Sequence, residues 1–168
     1  MMLPALNPFC AACLEGEAPC AACAPRLAEQ GFVELDYRFA KALHSLRRDY
    51  PLDEAGFERT LEFVPFTAVL TKTPSALIGK GGRVAKRLAE ILGKPVKIVD
   101  SGASPEKQFN ELMLPVRVLG VNKVYSPAGE RVKIRIRRDE AHRLPVRVQD
   151  AERLARKFFG ENSELVLE

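Results

Sequence analysis

Four cysteines and one glycine-rich turn are the residues of this chain whose types and spacing can do chemistry. All four cysteines fall in Cys10-Ala-Ala-Cys13 and Cys20-Ala-Ala-Cys23, two CxxC pairs separated by six residues. A CxxC turn aims two thiolates at one point, and two such turns facing each other complete a tetrahedral four-thiolate shell. Zinc suits that shell, one ion per chain. A closed set of four thiolates leaves no coordination position for water, so the ion is expected to be structural. An iron–sulfur cluster takes the same ligands. Two disulfides would use the same residues, although a cytosolic compartment keeps thiols reduced, and a redox dithiol needs only one pair. A metal would order residues 1–31, a segment too short to bury a core of its own.

The second feature is Leu77-Ile78-Gly79-Lys80-Gly81-Gly82, placed between two expected helices. Glycines in such a position let a sugar–phosphate backbone press against the chain, while the amides opening the next helix point at a phosphate. Lys80, Arg83, Lys86 and Arg87 add positive charge, and Leu77 and Ile78 would line an apolar groove beside the bases. The spacing is neither GxxxxGK[ST] nor GxGxxG, and a helix rather than a strand precedes it. A plain helix–helix turn is the structural alternative, for which a single glycine would be enough.

Charge is distributed unevenly, and the local field rather than the net +4 attracts a polyanion. Residues 1–56 carry five Lys/Arg against eight Asp/Glu, and the last 21 residues are also acidic. Residues 71–100 reach +5 and residues 115–147 reach +6. Within the second block, Arg131-Val-Lys133-Ile-Arg135-Ile-Arg137 alternates strictly. A strand there would set four cations on one face and three β-branched residues on the other. Phosphate contacts on that face would weaken steeply with salt.

The surrounding elements follow from periodicity. Leu35, Phe39, Ala42, Leu43 and Leu46 recur at helical spacing over residues 34–49, closed by Pro51. Residues 57–64 and 66–72 are β-rich and meet at Pro65, which predicts paired strands. Pro74 opens a short helix, residues 83–92 form a second that stops at Gly93, and residues 95–99 form a strand. The same order recurs further on: a helix near 105–113, strands over 115–125 and 130–136, a short helix near 138–143, a longer one from Gln149 to Phe159, and a strand over 164–167. Ala85-Lys-Arg-Leu-Ala89 matches Ala151-Glu-Arg-Leu-Ala155 at an offset of 66. The expected class is α+β, with a cysteine module (1–31) and two α-β-β-α-α-β domains (32–102 and 103–168).

An enzyme needs convergent acid, base or nucleophile residues, and His44 and His142 have no Ser or Cys beside them in a recognisable catalytic pattern. No catalytic activity is expected. Phe57, Phe63, Phe66, Phe158 and Phe159 lie beside other apolar residues and are expected in the core rather than stacked on bases. No run approaches the roughly 18 apolar residues that span a bilayer, so no membrane partner is expected and the chain is placed in the cytoplasm.

Ile78-Gly79-Lys80-Gly81-Gly82, followed by Arg83-Val84-Ala85-Lys86-Arg87-Leu88, resembles the signature of the prokaryotic-type KH domain, an Ile-Gly-x-x-Gly turn ahead of a Lys/Arg-rich helix. Two such domains in tandem, over residues 34–168, resemble the archaeal NusA-like transcription factors. That resemblance implies binding of single-stranded RNA in transcription elongation or termination, with RNA polymerase as a partner. It implies contacts through Leu77, Ile78, Gly79, Lys80, Gly81, Gly82, Arg83, Lys86 and Arg87, with Arg131, Lys133 and Arg135 as an electrostatic extension. Two departures stand out. The second repeat reads Leu144-Pro145-Val146-Arg147-Val148 where a glycine clamp should be, and the cysteine module, with its Cys10, Cys13, Cys20 and Cys23, lies outside the minimal layout. A ribosomal or ribosome-biogenesis factor shares the KH arrangement, and an adaptor whose KH folds have lost RNA is the rival from another class.

Overall fold

The computed structural model describes residues 8–168. They divide into two compact units, one ending at Gly102 and one spanning Ala103–Glu168. The protein is α+β, with one three-stranded sheet in each unit.

The first unit begins with two short helices, α1 (Ala11–Glu15) and α2 (Ala24–Glu29), followed by α3 (Glu34–Leu46). The apolar spacing of α3 buries Leu35, Phe39, Ala42, Leu43 and Leu46. The helix ends three residues before the expected boundary, where the Arg47 amide bonds to the His44 carbonyl in a tighter, three-residue turn. Strands β1 (Arg59–Glu62) and β2 (Thr67–Thr71) pair antiparallel through Thr60↔Val69. They are shorter than predicted, since Phe63–Phe66 closes the turn with its own amide-to-carbonyl bond of 2.9 Å.

Strand β3 (Val96–Asp100) lies parallel to β2, with Val69 opposite Ile98. Parallel neighbours need a crossover, and α4 (Pro74–Ile78), a 3₁₀ turn (Lys80–Gly82) and α5 (Arg83–Leu92) supply it. Phe39, Leu43, Val69, Leu77 and Leu88 are fully buried in one core. Phe9, Cys13, Leu14, Cys23 and Leu27 belong to that same core, so the cysteine segment packs as part of this unit.

Asp36 is a buried carboxylate with 1% exposure. It accepts hydrogen bonds from the Val33 amide at 2.8 Å and from the Thr60 amide and hydroxyl at 2.8 and 2.7 Å. One side chain thereby satisfies a free donor at the start of α3 and ties that helix to β1.

The second unit repeats the order: α6 (Pro105–Met113), β4 (Val118–Ser126), β5 (Gly129–Ile136), a 3₁₀ helix (Arg138–Arg143), α7 (Val148–Phe159) and β6 (Ser163–Leu167). β4 and β5 pair antiparallel, and β5 and β6 pair parallel through Ile134↔Leu165. β4 starts later than expected because Val116 turns back to Met113 and the Val118 amide is taken by Asn110. Phe109, Leu112, Met113, Ile134 and Ile136 are fully buried. Phe158 and Phe159 pack edge-on against Phe109 at 6.2 and 5.5 Å.

Candidate metal centre and nucleic-acid interface

The four cysteine sulfurs lie within 4.8 Å of one another. Cys10 Sγ stands 3.5 Å from Cys13 Sγ and 3.8 Å from Cys20 Sγ. A tetrahedron with metal–sulfur bonds of about 2.3 Å has sulfur–sulfur edges of about 3.8 Å, so these residues fit a four-thiolate metal. Outer contacts support the geometry. The Cys20 amide donates to Cys13 Sγ at 3.2 Å, and the Arg26 guanidinium approaches Cys23 Sγ at 3.8 Å.

The thiols are electrostatically unlike. Hydrogen bonding from the Cys23 backbone amide, then from Cys13, draws Cys20 down to about 6, whereas burial pushes Cys13 up to about 12. Four sulfurs this close cannot all ionise side by side without a cation among them.

Sequence reasoning missed what holds this cluster. The Tyr37 hydroxyl lies 2.6 Å from the Cys13 carbonyl and 3.0 Å from that of Gly16, and Lys41 Nζ donates to the Gly16 carbonyl at 2.5 Å. Tyr37 and Lys41 are four apart and so share one face of α3. Their partners are backbone carbonyls more than twenty residues earlier, which no side-chain pattern announces.

The glycine turn is more demanding than a simple corner. Gly79, Gly81 and Gly82 all take positive φ, at 74°, 64° and 74°, so one glycine would not make this turn. A Cβ on Gly79 would sit 2.5 Å from Val84 Cγ2 and 3.1 Å from the Val84 amide nitrogen, while Gly81 and Gly82 face open space. The glycine count is therefore accounted for by backbone geometry.

The cations are not accounted for in that way. Lys80, Arg83 and Lys86 are exposed and have no hydrogen-bond or ion-pair partner among the described residues. They gather at the start of α5, which has no side-chain cap and no acidic residue in its first turn. The helix dipole makes that end positive, and each cation there costs about 0.3–1 kcal/mol. By contrast, α3, α6 and α7 each open with an acidic residue. Arg87 is instead paired with Glu90.

Leu77 does not line a groove beside Ile78. Neighbouring helical positions point about 100° apart, and α4 turns Leu77 fully into the core while Ile78 stays 40% exposed. Leu77 supports the turn from within, and Ile78 is the apolar side chain a ligand could touch.

In the second unit β5 alternates as expected but ends at Ile136, so that Arg137 leaves the strand, takes the N-cap position of the following 3₁₀ helix and pairs with Asp139. Val132, Ile134 and Ile136 are buried, and Arg131, Lys133 and Arg135 lie on the opposite face. Lys133 pairs with Glu164 at 3.6 Å and Arg135 with Glu168 at 3.3 Å, so that among the described residues Arg131 alone of the three has no partner. Leu144–Arg147 contains no glycine and leads straight into α7, with Arg147 bonded to Asp150.

No family model matches the chain, and no curated protein matches it. A solved structure described as "Crystal structure of APE1850" is similar to it, with a TM-score of 0.54 and 21% sequence identity, covering 81% of this chain and 100% of that one. At that identity the likeness concerns the fold alone. No helix among the described residues is long and apolar enough to cross a membrane.

Proposed function

We propose that the chain is a single-stranded RNA-binding protein of the tandem KH type, stapled by one structural zinc ion at Cys10, Cys13, Cys20 and Cys23. By resemblance it acts as a NusA-like factor on nascent transcripts beside RNA polymerase. One observation carries the RNA reading: Lys80, Arg83 and Lys86 stand unpaired at the positive end of α5, beside a turn of three glycines. That arrangement is unfavourable in the free protein and becomes favourable when phosphates arrive. The element order in both units, with mixed sheets β1-β2-β3 and β4-β5-β6, supports the KH assignment.

Three freed cations predict a salt slope near −2 for a single strand, or roughly 20-fold weaker binding between about 50 and 200 mM salt. Fluorescence anisotropy with a labelled pool of short single-stranded RNAs measures it, and no binding at the lower salt would overturn the reading. Affinity capture from native lysate tests the NusA-like role. RNA polymerase subunits would support it, and ribosomal RNA with ribosomal proteins would contradict it.

A further inference from the structure

The strongest charge block in the sequence, residues 115–147, loses much of its field in the folded second unit. Parallel pairing sets Lys133 opposite Glu164 and brings Glu168 onto Arg135. The open face of this sheet thus carries Arg131, Lys133 and Arg135 against two carboxylates, a net charge of only +1. The four paired side chains remain between 38% and 48% exposed, so they are not sealed away as core ion pairs, and a polyanion could reach them.

We propose that Glu164 and Glu168 are specificity determinants: their carboxylates occupy the β5 cations in place of RNA phosphates and confine RNA to the glycine turn of the first unit. This rests on the RNA-binding reading above and adds to it the reason why the larger basic block does not compete. The chemistry is direct. A carboxylate at 3.3–3.6 Å from a guanidinium or ammonium group presents the same anionic oxygens that a phosphodiester would. Residues 131, 133 and 135 repeat every second position along the strand, at about 6.8 Å, so a strand of phosphates could run along them once the carboxylates are neutral. Exposed pairs of this kind are weak. Their effect is to bias a site rather than to close it.

The test uses the full chain with Lys80→Asp and Gly81→Asp in place, so that the turn no longer contributes. Glu164→Gln with Glu168→Gln is added, and binding of a short labelled single-stranded RNA is read at low salt. The expected result is a gain of about fivefold or more, lost again when Arg131→Glu is introduced. Glu106→Gln with Glu152→Gln, which removes two charges from helices α6 and α7 of the same unit, should produce no such gain. An equal gain from that control, or none from Glu164→Gln with Glu168→Gln, would overturn the proposal. A wild-type chain that binds no RNA, alongside a Glu164→Gln/Glu168→Gln chain that does, would refute the glycine-turn reading and with it the confinement to that turn, while upholding the exclusion of phosphates from the β5 cations by Glu164 and Glu168.

Discussion

Replacing Gly79 and Gly82 separately by alanine distinguishes two reasons for a glycine. Gly79 has φ 74° and ψ 173°, a region essentially restricted to glycine. Its added methyl would also stand 2.5 Å from Val84 Cγ2. Val84 is 3% exposed on α5, and a β-branched side chain in a helix has one strongly preferred rotamer, so it cannot swing aside without disturbing the core. Strain and clash together should cost about 3 kcal/mol. Gly82, at φ 74° and ψ 14° with nothing within 4 Å, should cost only about 1 kcal/mol as alanine. For a unit of this size each kcal/mol lowers Tm by about 4–8 °C. Thermal melts should therefore show a drop of more than about 10 °C for Gly79→Ala and less than about 8 °C for Gly82→Ala. Equal losses in the two variants would refute the assignment of the turn to Val84 packing.

Elemental analysis of the purified protein should find about one zinc per chain, and a brown, iron-containing sample would refute zinc. Because ligating thiols must lose their protons, zinc affinity should fall as pH falls. Titration in weak buffer near pH 7.5 should release fewer than four protons per zinc, since Cys20, held at about 6, enters already ionised. Asp36→Asn should lower stability by about 2 kcal/mol in urea denaturation, because the amide that replaces one oxygen cannot accept both sets of donors. An unchanged midpoint would show that α3 and β1 do not depend on that carboxylate.

Patterns local in sequence were legible. The period of α3, the two CxxC turns, the glycine turn and the alternation along β5 each depend on residues close together in the chain. What was not legible depends on distant residues. Tyr37 and Lys41 brace the cysteine loop through backbone carbonyls that have no residue type to recognise. Glu164 and Glu168 neutralise Lys133 and Arg135 only because β6 returns alongside β5, so counting charges by segment overstated the second block. Leu77 and Ile78 share apolar character in the sequence, although a one-turn helix must separate their directions.

The central claim is that the turn around Lys80 holds RNA. Its most direct test compares wild type with the Lys80→Asp/Gly81→Asp chain in a low-salt titration of short single-stranded RNA. Gly81 lies at φ 64° and ψ 23° with open space around it, where Asp is among the better tolerated residues, so the fold should survive, as checked by the thermal melt. Loss of binding by tenfold or more with a melt close to wild type is predicted, and unchanged affinity in the double variant would contradict the account.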